Sequence, residues 1–241
     1  MGPQRIVCLT EETTEWLYLL GQEHRIVGIS GYTVRPRRAR SEKPRVSAFL
    51  SAKIDQILAL EPDCVFGFSD LQADIASALI KAGVSVTVFN QRSVDEIFSV
   101  LFQVAAMVDE LEQGKALMVA LLKENDPAVS VAMAAAIGRG RLAAFVPEVV
   151  TMARAGGANP TVRAEAVSSL LALGRPEAAE AARALLEDVP LSGDSVPAAV
   201  PLIWERLFRL DSALAIGAAE KRLPGMTDSG LIRFVLTQGR T

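Results

Sequence analysis

Five short apolar runs, each followed by a segment of different pattern, fill residues 5–92 and decide most of what this chain can become. The runs are Arg5–Leu9, Arg25–Ser30, Arg45–Ala48, Asp63–Phe68 and Val84–Asn90. They are apolar on both faces, as strands are when helices cover a sheet from both sides. Between them, Glu11–Gly21, Ala52–Leu60 and Leu71–Ala82 read as helices, and residues 31–44 as a loop rich in Arg and Pro. This alternation predicts an α/β lobe around a mostly parallel five-stranded sheet. Ligands of such sheets bind outside the carboxyl ends of the strands. Those ends carry a dense set of hydroxyl, aromatic and amide side chains: Thr10, Thr13, Tyr32, Phe49, Ser69, Asn90, Gln91 and Arg92.

Residues 93–124 read as one long connecting helix. Ser93 and Glu96 have capping-box spacing, and Ile97, Leu101, Val104, Val108, Leu111, Met118 and Leu122 outline one apolar stripe. Such a helix would span about 45 Å, the length of a strut between two bodies. Gly114 is its weak point, costing about 1 kcal/mol against Ala.

Composition sets the remaining bounds. Half of the 241 residues are apolar and 22% are charged, which places the chain among globular proteins. A formal charge of −3 gives no general attraction to nucleic acid or an acidic membrane. No apolar run approaches the roughly 20 residues of a membrane span. The start of the chain lacks the pattern of a signal peptide, so the expected location is cytoplasmic, or periplasmic if a leader was removed. Cys8 and Cys64 sit inside strand-like runs and read as buried free thiols. A disulfide between them is sterically open but not indicated. One histidine, His24, reads as a surface-loop residue, and no recognised ligand spacing builds a metal site. No phosphate loop, catalytic triad or paired nucleophile and base is visible, so no enzyme is expected.

The segments RIVCLTEETTEWLYLLGQEHRIVGIS, AKIDQILALEPDCVFGF and ADIASALIKAGVSVTVFN together resemble the N-terminal lobe of class III periplasmic binding proteins. Order and spacing agree over residues 4–124. That family binds cobalamin, haem or ferric siderophores for ABC importers, and the cobalamin-binding branch is the most similar. The resemblance implies a corrinoid or related metal chelate as ligand, held at Thr10, Thr13, Tyr32, Arg35, Phe49, Ser69, Gln91 and Arg92. It also implies importer docking through an acidic residue; Asp74 stands at that position, where Glu is usual.

After residue 124 no second α/β lobe follows. Asp126-Pro127-Ala128-Val129 and Asn159-Pro160-Thr161-Val162 each open an alanine-rich helix, 33 residues apart. Each unit reads as helix, Gly-containing loop, helix: 126–138 then 143–155, and 159–174 then 176–187. A third, divergent unit runs from Asp194 through Leu210, with 212–221 and 229–236 to finish it. Two helices per repeat of about this period are a solenoid signature, and the units resemble short HEAT-like repeats.

The expected domains are therefore a binding lobe over 1–92, a connecting helix over 93–124 and HEAT-like repeats over 125–241. Two local features carry two readings each. The basic loop Arg35–Arg45 is either a seat for an anionic ligand or a solvated loop. Glu11, Glu12 and Glu15 read first as partners of a helix dipole. Two functions follow: a corrinoid or metal-chelate binding protein, or an interaction scaffold that presents the repeats to a protein partner and keeps the lobe as structure.

Overall fold

A computed structural model describes residues 2–122, 126–154, 159–189 and 196–224, with 233, 234 and 237. They form two compact units, residues 1–118 and 119–241.

The first unit is built on five strands: β1 (Ile6–Cys8), β2 (Ile26–Ser30), β3 (Arg45–Ser47), β4 (Cys64–Phe68) and β5 (Val86–Phe89). Every pairing is parallel, in the order β3-β2-β1-β4-β5. The chain leaves β1 to one side, returns, and places β4 and β5 on the other. A crevice therefore opens where the winding reverses, at the carboxyl ends of β1 and β4. Helices α1 (Glu11–Leu19), α2 (Ala39–Glu42), α3 (Ile54–Leu58) and α4 (Ala73–Lys81) make the crossovers. One core holds Val7, Leu9, Val46 and Val65 from the strand side against Ile57 of α3 and Ile75 and Leu79 of α4. Alternate strand residues Ile6, Cys8 and Phe66 are equally buried, which is why these strands read as apolar on both faces.

The single helix expected over 93–124 is two: α5 (Val94–Met107) and α6 (Leu111–Leu122). The Glu96 carboxylate accepts from the Ser93 backbone N–H at 3.1 Å, so the predicted start is in place. The break falls at Asp109, with φ of 63°, and not at Gly114. The Asp109 N–H donates to Ala106 O and the Glu110 N–H to Ala105 O, the pairing that closes a helix in a Schellman motif. Glycine usually occupies that left-handed position; aspartate there gives no obvious stop signal. Gly114 serves packing instead. A Cβ on it would lie 2.6 Å from the Ala105 Cβ, so α5 and α6 approach at that point because no side chain intervenes. Trp16 fastens α1 to α5 by donating Nε1–H to Leu101 O at 2.7 Å.

The second unit is helical: α7 (Pro127–Gly140), α8 (Val146–Arg154), α9 (Pro160–Ala172), α10 (Glu177–Asp188), α11 (Val200–Leu210) and α12 (Ser212–Arg222). The predicted starts are real caps. Asp126 Oδ1 accepts from the Ala128 N–H at 2.8 Å, and Asn159 Oδ1 from the Thr161 N–H at 2.9 Å. Proline follows each cap, where its missing N–H costs nothing. Helix α9 packs between α7 and α11, and α10 packs against α8 and α12, giving two layers of alternating helices. Within the first of these layers the helices approach through small residues: a Cβ on Gly138 of α7 would lie 2.9 Å from Ser169 Cα of α9. Ser169 donates its hydroxyl to Ala134 O, and Arg206 donates to Ser168 O at 2.9 Å. Of the expected elements, residues 123 and 124, 155, 194 and 195, 229–232, 235 and 236 lie outside the described residues.

Candidate functional site

The crevice side of the sheet is where the sequence concentrates polar and aromatic groups, and the fold gathers many of them there. A cavity of about 630 Å³ opens at the carboxyl ends of β1, β2 and β3. Its walls are Thr10 and the first residues of α1, Glu11 and Glu12; Ser30 at the end of β2 and Tyr32 after it; and Ala48, Phe49, Leu50 and Ser51 after β3. Thr10 and Ser30 are buried, while Tyr32 is 62% and Leu50 66% exposed. Large apolar side chains left open to water beside fixed hydroxyls suit a flat, mostly apolar ligand with a few polar groups. A second recess of about 600 Å³ lies beside β5 and α4, lined by Ser69, Asp70, Ile80, Val88 and Asn90 among others.

The predicted residues divide between these places. Thr10, Tyr32 and Phe49 line the first cavity, and Ser69 lines the second. Phe49 meets Phe68 with ring centroids 6.3 Å apart, and the Arg92 guanidinium lies 5.6 Å from the Phe68 ring. Arg92 also pairs with Asp70 at 3.0 Å. Gln91 donates to the Glu12 carboxylate at 3.2 Å. Thr13 belongs to neither cavity: it is 2% exposed, its Oγ1 lies 3.3 Å from that of Thr10, and it turns toward Cys8. Arg35 is exposed, held by Glu15 at 3.2 Å and Glu11 at 3.7 Å. Asp74 is exposed in the first turn of α4.

The basic loop is largely spoken for within the fold. Arg38 pairs with Glu23 at 2.9 Å and stacks over the Tyr18 ring, and Arg40 donates to Gly31 O and Thr33 O. Tyr18 in turn donates to Glu42. These contacts favour the reading of a loop folded onto α1 over that of an anion seat.

Two features escaped the sequence reading. Gln72 is 1% exposed and ties three strand ends together. Its Oε1 accepts from the Phe68 N–H at 2.9 Å, and its Nε2 donates to Phe49 O at 3.0 Å and Leu9 O at 3.4 Å. A signal existed: Gln72 is three residues before Ile75 and seven before Leu79, which places an amide on the buried face of a helix start. The other is Ser69, with φ of 56° and ψ of −179°, a region that side chains other than glycine's rarely enter. Its hydroxyl accepts from the Leu71 N–H, and its own N–H donates to Phe89 O.

The thiols are free and buried. Burial pushes Cys8 up to about 12, with the hydroxyls of Thr13 and Thr14 opposing, and burial likewise raises Cys64. Neither is poised as a nucleophile. His24 is exposed on a short turn. Among the described residues no cluster of three or more His, Cys, Asp or Glu is arranged to hold a metal ion, and no helix is long and apolar enough to cross a membrane.

No curated protein matches the chain. Solved structures similar to it include a possible iron-binding periplasmic protein from Staphylococcus epidermidis, at 20% identity over 65% of this chain and 54% of that one, with a TM-score of 0.46. The vitamin B12 binding protein BtuF of Vibrio cholerae matches at 21% identity over 63% and 52%, with a TM-score of 0.44. A periplasmic heme binding protein from Pseudomonas aeruginosa matches at 20% identity over 91% of each chain, with a TM-score of 0.46. The chain spans about half the length of the first two. The family described as periplasmic binding protein matches residues 6–160, running through β1–β5, α5 and α6 and on across α7 and α8. With well over half of its length matched, the chain belongs to the periplasmic binding protein family, a family of binders and not of enzymes.

Proposed function

We propose that the first unit binds a metal chelate of the kind carried by ABC importers, an iron chelate, haem or corrinoid, in the cavity at the ends of β1, β2 and β3. The observation that carries this reading is the composition of that cavity. Tyr32, Phe49 and Leu50 offer flat and apolar contacts to a macrocycle, while Thr10, Ser30 and Ser51 offer hydroxyls to its edge. Thr13 would support Thr10 from below, and Gln91 and Arg92 would close the rim toward β4. A cobalamin-like corrinoid is the first ligand to try. The unit by itself covers one face of such a ligand, so the affinity expected of it is roughly micromolar. Asp74, exposed on α4, is the position proposed for docking on an importer. The family's description supports a periplasmic location over a cytoplasmic one.

An absorbance-monitored titration with cyanocobalamin, haemin and a ferric siderophore tests the reading. Saturable binding of at least one chelate is the expected result, weakened about tenfold by Tyr32→Ala or Phe49→Ala through lost ring contacts. A folded protein that binds none of them at high micromolar concentration would overturn it.

That negative outcome would favour a second reading, an interaction scaffold. It draws on the second unit, where Asp126 and Asn159 cap equivalent helices and the helices alternate between two layers, as in a short HEAT-like array.

A further inference from the structure

Resting on the binding reading, we infer that Glu11 and Glu12 act as a charge filter: the cavity admits a neutral or cationic chelate with an amide-rich edge and rejects one whose edge bears carboxylates. The two glutamates are the charged side chains among the cavity's lining residues, and no cation lines it. Of the two cations placed at its rim, Arg35 is shared between Glu11 and Glu15 and Arg92 is paired with Asp70, so carboxylates outnumber them. Arg40 comes near through Gly31 and Thr33, but donates to their carbonyl oxygens. Glu12 is held in place by the Gln91 amide, which donates to it from the far side of the crevice at 3.2 Å.

Acids in the first turn of α1 interact favourably with the helix end wherever they point, and that alone would account for their presence. It does not account for both lining the cavity beside Tyr32 and Phe49. There a carboxylate accepts hydrogen bonds from ligand N–H groups and repels ligand carboxylates, and because Glu11 and Glu12 are only partly buried, added salt weakens that repulsion. Candidate chelates differ in this respect. Corrinoids carry carboxamides around the ring, haem carries two propionates, and catecholate complexes of ferric iron are anionic. The filter therefore favours the first class.

A matched pair of probes isolates the effect: dicyanocobinamide, with its amide edge, and dicyanocobyrinic acid, the same ring with carboxylates. Isothermal titration with the intact chain is expected to give at least about tenfold tighter binding of the amide compound. The Glu11→Gln, Glu12→Gln double variant should narrow that ratio severalfold by gaining affinity for the acid. Raising the salt concentration should narrow it in the unmodified protein, a readout that stands even if the variant does not fold. Equal binding of the two probes, or a ratio insensitive to both the variant and salt, overturns the filter while leaving the binding reading intact. Binding of neither, with haemin also failing, overturns both.

Discussion

The two units pack differently, and the difference bears on where a ligand can sit. In residues 1–118 large side chains fill the core: Phe66, Ile6, Ile26, Leu17 and Leu79 are essentially inaccessible. The strands are short, and the loops at their carboxyl ends diverge, leaving Tyr32 and Leu50 open to water. In the helical unit eleven of the 26 buried apolar residues described are alanine, among them Ala134, Ala164, Ala182 and Ala218, against three of 26 in the first unit; large side chains such as Trp204 and Phe145 are buried there as well. The recesses along α7, α9 and α11 are about 150 and 480 Å³, against about 600 and 630 Å³ in the first unit. A sheet edge collects side chains from several strands around a gap; helices joined through small residues leave smaller ones.

The sharpest way to break this comparison is to change side-chain size in each unit. Phe66→Ala should cost about 3–5 kcal/mol, because it empties a filled core. Gly138→Val should cost about 1–3 kcal/mol, because its Cβ would meet Ser169 backbone that cannot swing aside. Trp16 and Trp204 report one unit each, so denaturant melts of Trp→Phe variants followed by fluorescence assign each loss to its unit. Equal sensitivity of both units to truncation and enlargement would erase the distinction.

A smaller effect is expected at Ser69. Ser69→Gly relieves the backbone and Ser69→Ala does not, so the glycine variant should be more stable than the alanine variant by about 1–2 kcal/mol in chemical denaturation.

The units should also differ at the extremes of pH. Cys8 is pushed from 9.0 to about 12 in the folded chain. The folded state keeps a proton that the unfolded state releases, so this contribution is whole below pH 9 and lost as pH rises toward 12. Burial, then the Glu42 carboxylate, raises Tyr18 as well, with the same sign. In the helical unit Lys221 and Arg183 lower Glu187, and Arg183 lowers Glu180. That stability is present above the usual carboxylate range and fades as pH falls, but it is small because Glu180 is exposed and Glu187 is partly so. Alkaline titration should therefore disturb Trp16 before Trp204. Iodoacetamide at pH 8 should leave both thiols unmodified until the chain unfolds.

How far the residues announced this structure follows from the range of the forces involved. Strand alternation and helix caps are local, and so the five strands and the starts at Ser93, Asp126 and Asn159 were legible. The end of α5 was not, because Asp109 adopts a left-handed conformation that glycine would have signalled. At the site, Thr10, Tyr32 and Phe49 converge because each follows a strand end. Thr13 lies behind Thr10 and not on the cavity wall, since one turn along α1 carries it to the buried face. Gln72 was missed because its partners are backbone groups, two of them in segments distant in sequence, and the contact of Gln91 with Glu12 because it joins segments equally far apart.

The most direct test of the central claim is amide hydrogen exchange with and without a saturating chelate. Binding at the strand ends predicts new protection over residues 10–12, 30–32 and 48–51, with the helical unit unchanged. Protection confined to residues 126–224, or a ligand that binds and protects none of the three loops, would contradict it.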